Sequence, residues 1–102
     1  MPYFISPLEL EQQISADTIT VLDVRRIEDQ QASPSGIKNA DWYPPEDVNL
    51  WADGLSKEKP VAIYCVRGGS VSSSVYTALT ARGLKVRILE GGLAAWETHA
   101  KR

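Results

Sequence analysis

Short apolar runs of strand length alternate along this chain with segments in which apolar residues recur at helical spacing. Residues 19–24 and 61–65 are almost continuously apolar and rich in β-branched side chains, which is typical of strands buried on both faces of a parallel sheet. Residues 85–89 predict a further strand. Residues 37–42 predict a weaker one, and Pro44 and Pro45 end it.

In the first half of the chain, the helices are short and polar. The segment Ser6-Pro7-Leu8-Glu9 has the pattern of a capping box with proline at the first helical position. It predicts a helix that continues to about Ser15. Two further short helices are predicted over residues 26–32 and 46–52.

In the second half of the chain, two helices are signalled more clearly. Apolar residues recur at helical spacing at Val71, Val75, Ala78 and Leu79. Gly83 follows at the C-terminal capping position. Gly91 and Gly92 then turn the chain into a last helix, which carries Leu93 and Trp96.

Strands that alternate with helices imply crossover connections and an α/β fold. We therefore predict three layers, with a central, mainly parallel sheet and helices on both of its faces. The 102 residues fit one domain that spans positions 1–102, without internal repeats or a linker.

Charge and composition narrow the classes of partner. The chain has 11 basic and 13 acidic residues, and its basic residues form no cluster longer than the pairs Arg25-Arg26 and Lys101-Arg102, so no nucleic-acid partner is expected. The start of the chain lacks a signal-peptide pattern, and no apolar run approaches the length of a membrane span. We expect a cytoplasmic protein with no membrane partner. One cysteine and one histidine argue against a structural zinc site, and no cofactor is expected.

Cys65 is the only cysteine, and it stands where a strand gives way to a glycine loop and the start of a helix. Converging backbone N–H groups and the positive end of a helix dipole both favour the thiolate. In such places the pKa of a cysteine falls from about 8.5 to roughly 3.5–7.5. The alternative is an inert thiol that packs in the core as a small apolar group. His99 is predicted on the exposed end of the last helix, so activation of the thiol by a histidine is not expected.

The segment after Cys65 contains the candidate anion-binding groups. Gly68 and Gly69 allow the backbone to curl so that its N–H groups point at an anion. Arg67 adds a planar cation, unless it is simply a solvated loop residue. Either Ser70 or Ser72 is expected to cap the helix, and a hydroxyl of this pair can also bind substrate. The candidate substrate-binding residues are thus Val66, Arg67, Gly68, Gly69, Ser70, Val71 and Ser72.

Asp23 and Arg25 end another predicted strand, and the carboxyl ends of parallel strands meet at one edge of the sheet. These two residues are therefore candidates to support the Cys65 site. The alternative is a polar strand end that meets solvent. Trp96 is expected in the core, whereas Trp42 and Trp51 flank the proline-rich loop and either staple it or line a cleft.

Four segments, taken in order, resemble the successive signatures of single-domain rhodaneses. They are residues 21–25, 35–40, 61–69 and 89–96. The resemblance implies a compact rhodanese-like fold with about five strands in the sheet, and a cysteine that carries sulfur as a persulfide. Two positions depart from the family pattern: Ser70 stands where many members have an arginine or lysine, and Ser35-Gly36-Ile37 lacks the histidine of the corresponding element.

Three functions follow as hypotheses. The first is a sulfurtransferase that moves sulfane sulfur from a small anion such as thiosulfate, through a Cys65 persulfide, to cyanide or to the thiol of a small molecule or a partner protein. An external acceptor is required because the chain has no second cysteine. The second is a phosphatase or arsenate reductase, whose loops place an arginine six residues after the cysteine, where this chain has Val71. The third is a non-catalytic interaction module of rhodanese shape.

Overall fold

A five-stranded parallel sheet forms the middle of the computed structural model, which describes residues 4–34, 36–67 and 70–100. The strands are β1 (Phe4–Ile5), β2 (Thr20–Asp23), β3 (Asp41–Trp42), β4 (Val61–Tyr64) and β5 (Val86–Leu89). Their order across the sheet is β1-β5-β4-β2-β3. The strand β4 is thus central, and it pairs with β2 and β5.

The helices lie between the strands in the chain. They are α1 (Pro7–Ser15), α2 (Ile27–Ala32), α3 (Val48–Trp51), α4 (Ser70–Thr80) and α5 (Gly92–Ala100). Short 3-10 turns, Pro45–Asp47 and Ala52–Gly54, flank α3. No helix among the described residues is long and apolar enough to cross a bilayer.

Successive strand residues send their side chains to opposite faces of the sheet, so the sheet separates two apolar clusters. The α4 face is the face covered by α3 and α4, and its cluster includes Leu22, Val24, Val61, Ile63, Val75, Leu79 and Ile88. The α5 face is the face covered by α1 and α5, and its cluster includes Leu10, Val21, Ile37, Ala62, Tyr64, Leu89 and Leu93. The predicted α/β architecture with helices on both faces is confirmed.

The helix ends follow the sequence signals. The Ser6 hydroxyl accepts a hydrogen bond from the Glu9 N–H at 3.1 Å, and Pro7 is the first residue of α1. At the end of α4, Gly83 has a φ of +85°, which a residue with a Cβ rarely adopts. The Gly83 N–H donates to the Thr80 carbonyl and the Leu84 N–H to the Leu79 carbonyl, which is the Schellman arrangement.

One strand prediction needs correction, and one strand was missed. The predicted strand over residues 37–42 is reduced to Asp41–Trp42, because residues 37–40 form a turn in which Asn39 has a φ of 72° and the Ala40 N–H donates to the Ile37 carbonyl. The strand β1 was not predicted. It has two described residues, too few for periodicity, and its pairing with β5 is a contact between segments far apart in the chain.

Candidate functional site

Cys65 directly follows the central strand, at the carboxyl edge of the sheet, and it is buried at 7% exposure. The side chains of Val61 and Ile63 belong to the α4-face cluster, and strand alternation places the Cys65 side chain on the same face. Beside it, the Val24 N–H donates to the Tyr64 carbonyl, so the pairing of β2 with β4 continues to the end of both strands. The thiol therefore occupies the edge at which open α/β sheets bind ligands.

The start of the loop after Cys65 is held by the first turn of α5. The Leu93 N–H donates to the Cys65 carbonyl at 2.9 Å, and the Ala94 N–H donates to the Val66 carbonyl at 3.1 Å. In a trans peptide the N–H points opposite to the carbonyl of the same unit, and the described chain has no cis peptide. The amide N–H groups of Val66 and Arg67 therefore point away from α5.

Gly92 makes this contact possible. Its φ is +63°, and a Cβ on it would lie 2.6 Å from the carbonyl oxygens of Cys65 and Val66 and 2.7 Å from the Arg67 nitrogen. Only a glycine allows the helix to approach the loop so closely. The sequence predicted a turn at Gly91-Gly92 but not its contact with the loop.

The remaining loop residues differ in exposure. Arg67 is exposed, and Val66 and Val71 are partly buried. Gly68, Gly69 and the side chain of Ser70 lie outside the described residues, so the predictions for them stay predictions. Ser72 is fully buried at the third position of α4, and its Oγ has no hydrogen-bond partner among the described residues. Ser72 is therefore not the helix cap.

Asp23 and Arg25 form a buried ion pair, which rules out the alternative of a polar strand end that meets solvent. Their exposures are 4% and 1%. Arg25 Nη2 lies 2.7 Å from Asp23 Oδ2, Arg25 Nε is shared between both carboxylate oxygens, and Arg25 Nη1 donates to the Ser33 carbonyl at 2.8 Å. The hydrogen bond to Asp23 is the main cause that raises the pKa of Arg25.

This ion pair shares the sheet edge with Cys65 but lies on the other face. Asp23 is adjacent in register to Tyr64, whose side chain belongs to the α5-face cluster. The guanidinium carbon of Arg25 lies 6.0 Å from the centre of the Tyr64 ring. Asp23 and Arg25 thus lie on the α5 face of this edge and do not face the Cys65 thiol.

Tyr64 connects this pair to the segment that contains Gly36. Its hydroxyl accepts a hydrogen bond from the Ile37 N–H at 3.1 Å, and a Cβ on Gly36 would collide with that hydroxyl. Burial is the main cause that raises the pKa of Tyr64 to about 12. The segment after α2 is thereby closed over the ion pair.

An open cavity of about 410 Å³ lies on the α4 side of the same edge. It is lined by Arg26, Ile27, Glu28, Pro45, Glu46, Val71, Ser74 and Val75. Arg26 is exposed and was not among the predicted site residues. Alternation offered a signal, because Arg26 continues the series Leu22, Val24 that faces α4.

The tryptophans act as predicted staples and core residues. Trp42 Nε1 donates to the Arg25 carbonyl at 2.9 Å, and Trp51 Nε1 donates to the Pro44 carbonyl at 2.8 Å. Trp96 packs against the α5-face cluster.

His99 lies far from the cysteine loop. It is seven residues along α5 from Gly92, which corresponds to about 10 Å of helix, and its ring nitrogen is 3.0 Å from Glu11. No group of three or more metal-binding side chains occurs within the described part of the chain.

Comparison with known proteins agrees with the fold. The family model described as a rhodanese-like domain matches residues 6–99. Thiosulfate sulfurtransferase GlpE of Coxiella burnetii is 35% identical over 97 residues, which cover 93% of this chain and 87% of that protein. A rhodanese-related protein from Thermoplasma volcanium superposes with a TM-score of 0.80 at 26% identity, covering 94% of this chain and 91% of that one. A rhodanese-like domain protein from Staphylococcus aureus gives a TM-score of 0.79 at 27% identity, with the same coverage.

Proposed function

Because this chain belongs to the rhodanese-like domain family, we propose that it is a sulfurtransferase that carries sulfane sulfur on Cys65. The donor is thiosulfate or a similar small anion, and the acceptor is cyanide or an external thiol. The proposal depends on the two hydrogen bonds that α5 donates to the carbonyl groups of Cys65 and Val66. Because of these bonds, the N–H groups of Val66 and Arg67 point away from α5, close to the start of α4. Such amides, together with the helix dipole, favour an anionic sulfur.

The reaction has two steps. The Cys65 thiolate attacks the outer sulfur of thiosulfate, the sulfur–sulfur bond of thiosulfate breaks, and sulfite leaves with the bonding electron pair. The anionic persulfide then gives its outer sulfur to cyanide or to a thiolate, and the Cys65 thiolate is regenerated. Each step conserves charge, and no oxidant or reductant is consumed.

The cations near the loop support the choice of an anionic donor. Arg67 is exposed in the loop and Arg26 lines the neighbouring cavity, so both can approach a dianion without leaving solvent. We propose that they replace the arginine or lysine that many relatives have at the position of Ser70. Asp23 and Arg25 have a supporting role, because they fix the end of β2 beside the Cys65 strand.

The direct test measures sulfur on the protein. After treatment with thiosulfate, the intact mass of the wild-type protein is expected to rise by one sulfur atom. Cyanide should remove that atom and form an equal amount of thiocyanate. The variant Cys65→Ser is expected to gain no sulfur, and circular dichroism serves as the control for its fold. A wild-type protein that gains no sulfur from thiosulfate or from polysulfide contradicts the proposal.

Hydrolysis of an aryl phosphate tests the phosphatase hypothesis in the same preparation. The position six residues after Cys65 is Val71, a partly buried apolar residue that offers no cation to a phosphate. We expect no release of phosphate above the level of Cys65→Ser. An interaction module without catalysis would instead show a Cys65 thiol that reacts no faster at neutral pH than a free cysteine.

A further inference from the structure

Ser72 is the one described residue whose buried side-chain polar atom lacks a hydrogen-bond partner in the described part of the chain. Its exposure is 0%, although a hydroxyl in the first turn of a helix usually lies at the surface or caps the helix. A buried hydroxyl without a partner destabilises the fold, and most native structures avoid it. The Ser72 hydroxyl is therefore free to bind an atom that is not hydrogen-bonded to it among the described residues.

The direction of the Ser72 side chain follows from the helix geometry. Ser72 precedes Val75 by three residues and Leu79 by seven, so it lies on the helix face that packs on the sheet. Side chains in a helix lean toward its N-terminus, so the Ser72 hydroxyl leans toward the cysteine loop. The helix α4 starts at the carboxyl end of β4, and alternation places the Cys65 side chain on this same face. The hydroxyl and the thiol thus share the space between the first turn of α4 and the end of β4.

We propose that the Ser72 hydroxyl donates a hydrogen bond to the anionic sulfur carried by Cys65, first the thiolate and then the outer sulfur of the persulfide. The proposal rests on the sulfurtransferase function and assigns a catalytic role to a residue inside the fold. No proton is transferred, and the bond only stabilises negative charge. The structure shows no hydrogen bond from Ser72 Oγ to the Cys65 sulfur, so the hydroxyl turns toward the sulfur when the charge arrives, and it gives up no described hydrogen bond in doing so.

The chain offers matched controls, because Ser72 begins a run of three serines. Ser73 is exposed on the next position of the helix, so Ser73→Ala removes the same atom without reaching the buried space. Ser72→Ala removes the proposed donor, and Ser72→Thr keeps a hydroxyl there. All three variants have the same charge as the wild-type protein.

The first measurement is the rate of Cys65 alkylation by iodoacetamide as a function of pH. Ser72→Ala is expected to raise the midpoint of this profile by about one pH unit, because a hydrogen bond to a charged group contributes about that much. Ser73→Ala should leave the midpoint unchanged, and Ser72→Thr should stay closer to the wild type than Ser72→Ala does.

The second measurement is the rate at which thiosulfate loads sulfur onto the protein, followed by intact mass. Ser72→Ala is expected to load about tenfold more slowly than Ser73→Ala. The urea midpoint of unfolding should not fall in Ser72→Ala, because the variant removes a polar atom that has no partner among the described residues. Loss of reactivity without loss of stability is the signature of the proposed role.

Two results would overturn the inference. If Ser72→Ala lowers the urea midpoint and leaves the alkylation profile unchanged, the hydroxyl has a structural role. If neither changes, the hydroxyl does not contact the sulfur. Failure of the proposed function is distinguishable from both, since a wild-type protein that never loads sulfur still gives an alkylation profile in which the Ser72 variants can be compared.

Discussion

The two faces of the sheet differ sharply at its carboxyl edge. On the α5 face, Asp23 and Arg25 are buried together. Nε and Nη2 of Arg25 donate to the Asp23 carboxylate, and Nη1 donates to the Ser33 carbonyl. On the α4 face, Arg26 is exposed, and the buried hydroxyl of Ser72 has no partner among the described residues. Charges that are fully paired fix the shape of the edge, whereas polar groups left exposed or unpaired are available to a ligand.

The neighbouring residues Arg25 and Arg26 show that a shift of one position along the chain is enough to cause this difference. One position along an extended strand reverses the face on which a side chain lies. Arg25 lies on the α5 face beside Tyr64, whereas Arg26 lies on the α4 face and lines the cavity. Residue type alone does not decide the role of an arginine at this edge.

The largest predicted effect comes from breaking the ion pair between Asp23 and Arg25 on the α5 face. Arg25→Met leaves the Asp23 carboxylate buried without its partner, which is expected to lower the free energy of unfolding by about 3–5 kcal/mol. Urea denaturation measures the loss. The matched variant Arg26→Met is expected to change stability by no more than about 0.5 kcal/mol. Equal losses in the two variants would contradict the division between the faces.

The next effect comes from the contact between α5 and the cysteine loop. Gly92→Ala forces a residue with a Cβ into a left-handed conformation and against the carbonyl oxygens of Cys65 and Val66. We expect a loss of about 2–4 kcal/mol in urea, together with loss of sulfur loading. Gly54→Ala is the control, because a Cβ there meets no atom within 4 Å. Wild-type loading by Gly92→Ala would show that α5 does not set the geometry of the loop.

A smaller effect is predicted for Tyr64→Phe, which leaves the Ile37 N–H without its acceptor. A loss of about 1–2 kcal/mol is expected near neutral pH. The sign of the pH dependence follows from the raised pKa of Tyr64, about 12 against the ordinary 10. Below pH 10 the hydroxyl is protonated in both states and its contribution is complete. As pH rises from 10 to 12 the unfolded state ionises first, so stability is lost.

Urea denaturation across this pH range checks the prediction. The difference between the wild-type protein and Tyr64→Phe should shrink as pH rises from 10 to 12, because the variant has no hydroxyl to ionise. A difference that stays constant through this range would mean that Tyr64 is not held in its neutral form by burial.

The smallest effects are expected from substitutions of charged residues around the cavity on the α4 face. Arg26→Met should lower kcat/KM for thiosulfate by about two- to fivefold, because an exposed charge contributes little. Glu46→Gln, on the same cavity, should raise kcat/KM by a similar factor, since it removes a charge that repels the dianion. Both changes should weaken as salt is added. If both variants shift kcat/KM in the same direction, the cavity does not act through its charges.

The sequence predicted the parts of this site that depend on local signals. The strand before Cys65, the helix after it and the glycine that ends that helix are each encoded within a few residues. The α/β class and the two covered faces follow from the same local patterns. The packing of Trp96 against the core could also be predicted, because its spacing from Leu93 is helical.

The parts that the sequence did not predict depend on contacts between distant segments. The contact of Gly92 with Cys65 exists only because α5 begins beside the end of the central strand, and no local pattern encodes that position. From the sequence, Asp23 and Arg25 suited a solvent-facing strand end as well as a shared site. Their pairing depends on the burial of both side chains on one face, which no local pattern shows. Residues 37–40 had strand-like side chains, but the turn at Asn39 and the Tyr64 hydroxyl govern their path.

The two outer strands of the sheet, β1 and β3, have a consequence for how copies of this protein behave when they meet. Exposed strand edges invite pairing with another chain, and long flat edges are sites of aggregation. Here β3 has only Asp41 and Trp42 to offer, with a charge at its start. On the other edge, the Arg87 guanidinium donates to the Phe4 carbonyl. The described edges of this sheet therefore give a neighbouring copy little on which to build an intermolecular ladder.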